Sequence, residues 1–121
     1  MSAVVLAVDD SASMRQLVKG TLGGAGYKVV TANDGAEALT YARTASVDLV
    51  LTDVYMPNVD GITLVQRLRE LPTYRLTPIL VLTTESDPEM RKRGKSAGAT
   101  GWIIKPFNPE DLLGALRRVL D

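Results

Sequence analysis

The stretch VVLAVDDSASMR, residues 4–15, is an unbroken apolar run that stops at two adjacent acids, Asp9 and Asp10, and passes straight into an amphipathic pattern. A β-branched run such as Val4–Val8, with no polar alternation, is the signature of a strand covered on both faces. Two like charges at its carboxyl end repel unless something positive lies beside them. Strand, acidic edge and helix, in that order, form the opening unit of a parallel α/β sheet.

Working outward, short apolar runs alternate with helical patterns five times, the layout of a parallel sheet with crossover helices. The predicted strands are Val4–Val8, Lys28–Ala32, Leu49–Thr52, Pro78–Thr83 and Gly101–Ile104. Between them, MRQLVKGTL places Met14, Leu17, Val18 and Leu22 at helical spacing, and GAEALTYAR follows Asn33-Asp34, a capping pair. ITLVQRLREL and PEDLLGALRRVL repeat the amphipathic pattern, and Pro88 and Pro109 suit first-turn positions. The stretch 87–96 is polar and carries the weakest helix signal. Right-handed crossovers place the helices on both faces of one sheet.

Composition narrows the chemistry. The 121 residues suit one domain, 1–121, and with 45% hydrophobic and 23% charged residues the chain is globular. Lys plus Arg and Asp plus Glu number 14 each, so no global field draws the chain to nucleic acid or membrane. There is no cysteine and no histidine, which excludes thiolate chemistry, a Ser-His-Asp triad, imidazole metal ligands and a phosphohistidine carrier. The apolar run 3–8 lacks a basic leader and is too short to span a bilayer, so the expected location is cytoplasmic.

In sheets of this kind ligands bind beyond the carboxyl ends of the strands. The first strand ends in Asp9-Asp10, the third in Asp53, the fourth in Thr83-Thr84 and the fifth in Lys105-Pro106. Asn33-Asp34, after the second, reads as a helix cap. Two carboxylates at about 4 Å repel by roughly 4 kcal/mol at an effective dielectric of about 20. A divalent cation cures this, and an all-oxygen ligand set selects Mg²⁺. The metal, the Lys105 ammonium and the Thr83 hydroxyl would together receive a phosphoryl group. An aspartate carboxylate can act as nucleophile and form an aspartyl phosphate. Asp53 is best placed, because it ends the central strand before the Pro/Gly-punctuated loop VYMPNVDG. Taken singly, each acid is most often a cap or loop residue, and only the joint placement argues for chemistry. Asp60-Gly61 reads as turn and cap. Arg91, Lys92, Arg93 and Lys95 read as a solvated helix face, with a partner surface as the alternative.

The stretches VDDSASMR, LVLTDVYMPNVDG, ILVLTTE, AGATGW and IIKPF resemble, in order and spacing, the receiver domain of two-component response regulators, most closely the single-domain chemotaxis CheY-like type. The resemblance covers essentially the whole chain. It implies a flavodoxin-like fold, a five-stranded parallel sheet of order 2-1-3-4-5 with five helices on both faces. It implies Asp53 as phosphoacceptor, with Asp10 and Asp53 as direct Mg²⁺ ligands, Asp9 acting through water, and the Tyr55 main-chain carbonyl completing the protein's share. It makes Thr83 the hydroxyl that moves to the phosphoryl group, Lys105 the ion-pair partner of that group, and Lys105–Pro106 a cis bond. Trp102 takes the place of the switch aromatic, usually Tyr or Phe. Tyr55 and Glu85 stand at variable positions that tune phosphoryl lifetime. The fourth helix opens Asp87-Pro88, where the best-known chemotaxis regulators carry lysines used at the flagellar motor.

The expected function is a phosphorylation-activated switch rather than an enzyme with an outside substrate. A sensor histidine kinase supplies the phosphoryl group, and the region of helix 4, strand 5 and helix 5 around Trp102 meets a downstream protein. The indole is expected to turn inward on activation. A monomer without an output domain is expected. One alternative is a phosphate sink. Another is an aspartate-nucleophile phosphatase of the haloacid-dehalogenase type, which wants a second acid where Tyr55 stands. A flavodoxin-like cofactor binder is opposed by the acids of DDSAS, and no G-x-x-x-x-G-K-[ST] nucleotide loop occurs.

Overall fold

The computed structural model describes residues 3–120. Strands β1 (Val4–Val8), β2 (Lys28–Ala32), β3 (Leu49–Thr52), β4 (Ile79–Thr83) and β5 (Gly101–Ile104) form one parallel sheet of order β2-β1-β3-β4-β5. The helices are α1 (Ala12–Gly24), α2 (Gly35–Thr44), α3 (Gly61–Glu70), α4 (Pro88–Ala97) and α5 (Pro109–Leu120). The predicted order and five strand positions hold. β4 begins one residue later than expected, because Pro78 has no N–H to donate, although its carbonyl still accepts from Val50 N–H at 3.0 Å.

The period-2 alternation of side chains builds a core on each face of the sheet. Val5 and Ala7 of β1 pack with Val18 and Leu22 of α1 and Leu112 and Leu116 of α5. Leu6 and Val8 pack on the other face with Ala38 and Leu39 of α2 and Leu64 and Leu68 of α3. Every residue of β3 and β4 is buried, whereas the edge strands β2 and β5 are only partly covered. On α1 the periodic set is narrower than its spacing suggests. Leu17 is 52% exposed, so Val18 and Leu22 carry the buried stripe.

Capping fixes where the helices start beside the sheet edge. Ser11, Asp34, Asp60 and Asp87 accept from Met14, Glu37, Thr63 and Glu89 N–H respectively. α4, the weakest pattern in sequence, buries only Gly94 and is held at its ends: Asp87 and Pro88 open it, and Gly98 at φ 116° closes it. A 3₁₀ turn at Pro72–Tyr74 has no counterpart in the sequence reading. Beside it, the Arg69 guanidinium donates to the carbonyls of Tyr74 and Thr77, both at 2.7 Å, and of Gly98 at 2.8 Å, tying α3 to the loop before β4 and to the end of α4.

Candidate functional site

Strand register assembles the site. Val8 pairs with Thr52, so the next residues, Asp9 and Asp53, emerge side by side, and Asp53 N–H donates to the Val8 carbonyl at 3.0 Å. Thr83 pairs with Ile104, and Lys105 N–H donates to the Thr83 carbonyl at 2.8 Å, which sets Lys105 at the same edge. Asp9, Asp10 and Asp53 each offer a carboxylate oxygen within 4.8 Å of the others. Asp9 and Asp53 are buried and Asp10 is exposed.

Lys105 answers part of the repulsion between the acids. Its Nζ donates to Asp9 Oδ2 at 2.7 Å and to Asp53 Oδ2 at 2.8 Å. Burial works against the ammonium, but the hydrogen bonds to Asp53 and Asp9 and their charges outweigh it and raise the lysine above its usual pKa. The other oxygens of these two acids are also engaged: Asp53 Oδ1 accepts from Val54 N–H at 2.6 Å and Asp9 Oδ1 from Ser11 N–H at 2.9 Å. Among the described residues no hydrogen bond reaches the Asp10 carboxylate. The donor set therefore fits a divalent cation bound through few carboxylates and completed by water, as Mg²⁺ prefers.

The loop after β3 is drawn against the acceptor strand. Gly61 N–H donates to the Val54 carbonyl at 2.8 Å, and a Cβ at Gly61 would stand 1.8 Å from the Asp53 carbonyl oxygen. Only glycine lets α3 start this close to Asp53. The Lys105–Pro106 bond is cis, as the family resemblance implies.

The remaining expected residues gather around Glu85 rather than on the carboxylates. Thr83 is fully buried, and its Oγ1 accepts from Glu85 N–H at 3.2 Å. The half-exposed Tyr55 donates its phenol O–H to Glu85 Oε1. This bond raises the Tyr55 pKa and, with the Asp87 amide, lowers that of Glu85. Trp102 Nε1 donates to the Glu85 carbonyl at 2.9 Å, and its ring lies against Gly94 and the Val54, Ile62 and Val81 cluster. The ring is thus docked between α4 and the loop that follows β4. Arg15, for which the sequence suggests no role, donates to the Asp9 carbonyl at 2.6 Å from the first turns of α1. Its signal was a cation four residues after the Ser11 cap.

A doubly wound parallel sheet with an acidic cluster and a lysine at its carboxyl edge is the arrangement of a two-component receiver. The chain belongs to the response regulator receiver domain family, whose profile matches residues 5–117. It is 40% identical over 116 residues to the probable transcriptional regulator ycf27 of Guillardia theta, covering 96% of this chain and 44% of that protein. The chain spans about half the length of the curated relatives it matches. Among solved structures it is similar to the Vibrio cholerae chemotaxis protein CheY4, with 54% identity, a TM-score of 0.95, and 99% and 100% of the two chains covered. It is also similar to the receiver domain of the sensor histidine kinase PA1611 from Pseudomonas aeruginosa PAO1, with 27% identity, a TM-score of 0.92, and 99% and 98% covered. That receiver holds a magnesium ion in its active-site cleft. The chain is therefore a receiver domain of two-component signalling. Among the described residues no helix is long and apolar enough to cross a membrane.

Proposed function

We propose that this chain is a phosphorylation-activated switch of a chemotaxis-type two-component pathway, acting in the cytoplasm as a monomer. The observation that carries the reading is the convergence of Asp9, Asp10, Asp53 and Lys105 on one sheet edge. Likeness to CheY4 over nearly the full length of both chains supports the chemotaxis type.

In this reading a sensor histidine kinase is the donor. An Asp53 carboxylate oxygen attacks phosphorus, the new P–O bond forms as the P–N bond to the donor imidazole breaks, and the ring, already protonated on its other nitrogen, takes the electron pair and leaves as neutral imidazole. Lys105, already on Asp53 Oδ2, follows the charge onto a phosphoryl oxygen. The Thr83 oxygen only accepts from Glu85, so its own O–H is available to donate to another. Asp10 and Asp53, Asp9 through water and the Tyr55 main-chain carbonyl would hold Mg²⁺, which would supply positive charge against the transferring group. Tyr55 and Glu85 flank the approach and tune how long the acyl phosphate survives. No outside substrate is turned over.

The downstream protein meets α4, β5 and α5. A groove of about 440 Å³ between α4 and β5 is lined by Pro88, Arg91, Lys92, Lys95 and Trp102. Incubation with acetyl phosphate and Mg²⁺, followed by intact mass, is expected to add one phosphoryl group to the wild type and none to Asp53→Asn. Equal labelling of that variant overturns the assignment.

A further inference from the structure

Glu85 is where the acceptor loop, β4, β5 and α4 meet. Its amide donates to Thr83 Oγ1 at 3.2 Å, and its carbonyl accepts from Trp102 Nε1 at 2.9 Å. One carboxylate oxygen accepts from Asp87 N–H, at the cap of α4, at 3.0 Å, and the other from the Tyr55 hydroxyl. All of its polar groups are engaged, and each leads to a different element.

Tyr55 is the member of this set that belongs to the loop after Asp53. Its side chain is 51% exposed, so packing does little to fix it, and its hydroxyl bond to Glu85 ties that loop to the one between β4 and α4. The Glu85 carbonyl, in turn, gives the Trp102 indole its hydrogen bond. Glu85 backbone orientation therefore sets where the indole N–H can bond, and that backbone is held by its own amide on Thr83 and by the side-chain bonds to Tyr55 and the Asp87 amide.

We propose that the Tyr55–Glu85 hydrogen bond is a latch that joins the acceptor loop to the β4–α4 loop and holds the Trp102 ring docked. Tyr55 is then a positioning residue for the switch, acting on Trp102 through Glu85. The proposal rests on the reading of Trp102 as the switch aromatic. A displacement of the acceptor loop at Asp53 reaches the indole along Tyr55, Glu85 and the carbonyl, in parallel with any movement of Thr83.

The test uses Trp102, the sole tryptophan, in protein that has received no phosphodonor. Iodide quenching, emission maximum and the indole N–H resonance are measured for wild type, Tyr55→Phe, Glu85→Ala and the double variant. Each measurement is made well below the unfolding midpoint. Losing one ordinary hydrogen bond shifts the docked-to-undocked ratio about fivefold. Tyr55→Phe is therefore expected to raise the quenching constant, move emission to the red and shift the indole resonance. Glu85→Ala is expected to do at least as much, and the double variant no more than Glu85→Ala. The same pattern is expected in an Asp53→Asn background, which separates the latch from phosphoryl acceptance. Quenching and resonance unchanged in Tyr55→Phe overturn the latch, even where Glu85→Ala alone alters them. Failure of Asp53 labelling overturns the acceptor reading and leaves the latch measurement standing.

Discussion

Replacing Asp10 with Ala is expected to stabilise the metal-free protein. Asp10 has its carboxylate within 4.8 Å of those of Asp9 and Asp53. At that separation each pair repels by about 0.9 kcal/mol in water and about 3.5 kcal/mol at an effective dielectric of about 20. Lys105 bridges the other two acids, so Asp10 faces a group whose net charge is one negative unit. Asp10 is exposed, which places the relief nearer the lower value. An acid just before α1 also gains a few tenths of a kcal/mol from the helix dipole, and that gain is lost. Because no side-chain hydrogen bond of Asp10 is broken, the net expectation is about 1 kcal/mol of added stability at low ionic strength, shrinking with salt. Mg²⁺ narrows the difference: at ten times its dissociation constant it adds about 1.4 kcal/mol to the protein that binds it, and less to the variant. Urea melts in EDTA and in Mg²⁺, each at low and high salt, read both effects. A variant no more stable than wild type in EDTA, or one that gains as much from Mg²⁺, refutes the electrostatic account.

Lys105→Met leaves the Asp9 and Asp53 side chains, 8% and 11% exposed, without their shared cation. The expected loss is about 3–5 kcal/mol, read by urea unfolding at neutral pH, and a loss under 1 kcal/mol refutes it. Gly94→Ala sets a Cβ 2.5 Å from Trp102 Cζ3. Instead of the usual helix gain of about 1 kcal/mol it is expected to cost about 1–3 kcal/mol and to red-shift Trp102 emission. Asp34 is held below the ordinary carboxylate pKa by the Glu37 amide and then by Asn58. A depressed folded pKa contributes stability above the unfolded value that is lost as pH falls through the folded one. Asp34→Asn keeps the cap oxygen but not the titration, so its deficit in urea midpoint is expected at neutral pH and should shrink towards pH 3. A deficit that does not change with pH refutes this.

The strands were legible because their cause is local. Val4–Val8 and Leu49–Leu51 are continuous apolar runs rich in β-branched residues, the pattern of strands buried on both faces. The caps were equally local: Asp34 and Asp60 bond amides three residues on. α4 read weakly because it buries little apolar surface, and its position comes from its caps and from Arg69 on Gly98, a contact between residues 29 apart in sequence.

The residue types of the site could also be read from strand ends, since a parallel sheet delivers all its carboxyl ends to one edge. That much the sequence determined by itself: an α/β sheet, an acidic edge with a lysine, and a likeness to receivers. Tertiary structure alone decided which charges meet. That Lys105 bridges Asp9 and Asp53, across 96 and 52 residues, follows from the order β2-β1-β3-β4-β5 and its register. Tyr55, Glu85 and Trp102 likewise carry no mutual signal in sequence, because hydrogen bonds between long side chains depend on distances that only the packed sheet and helices fix.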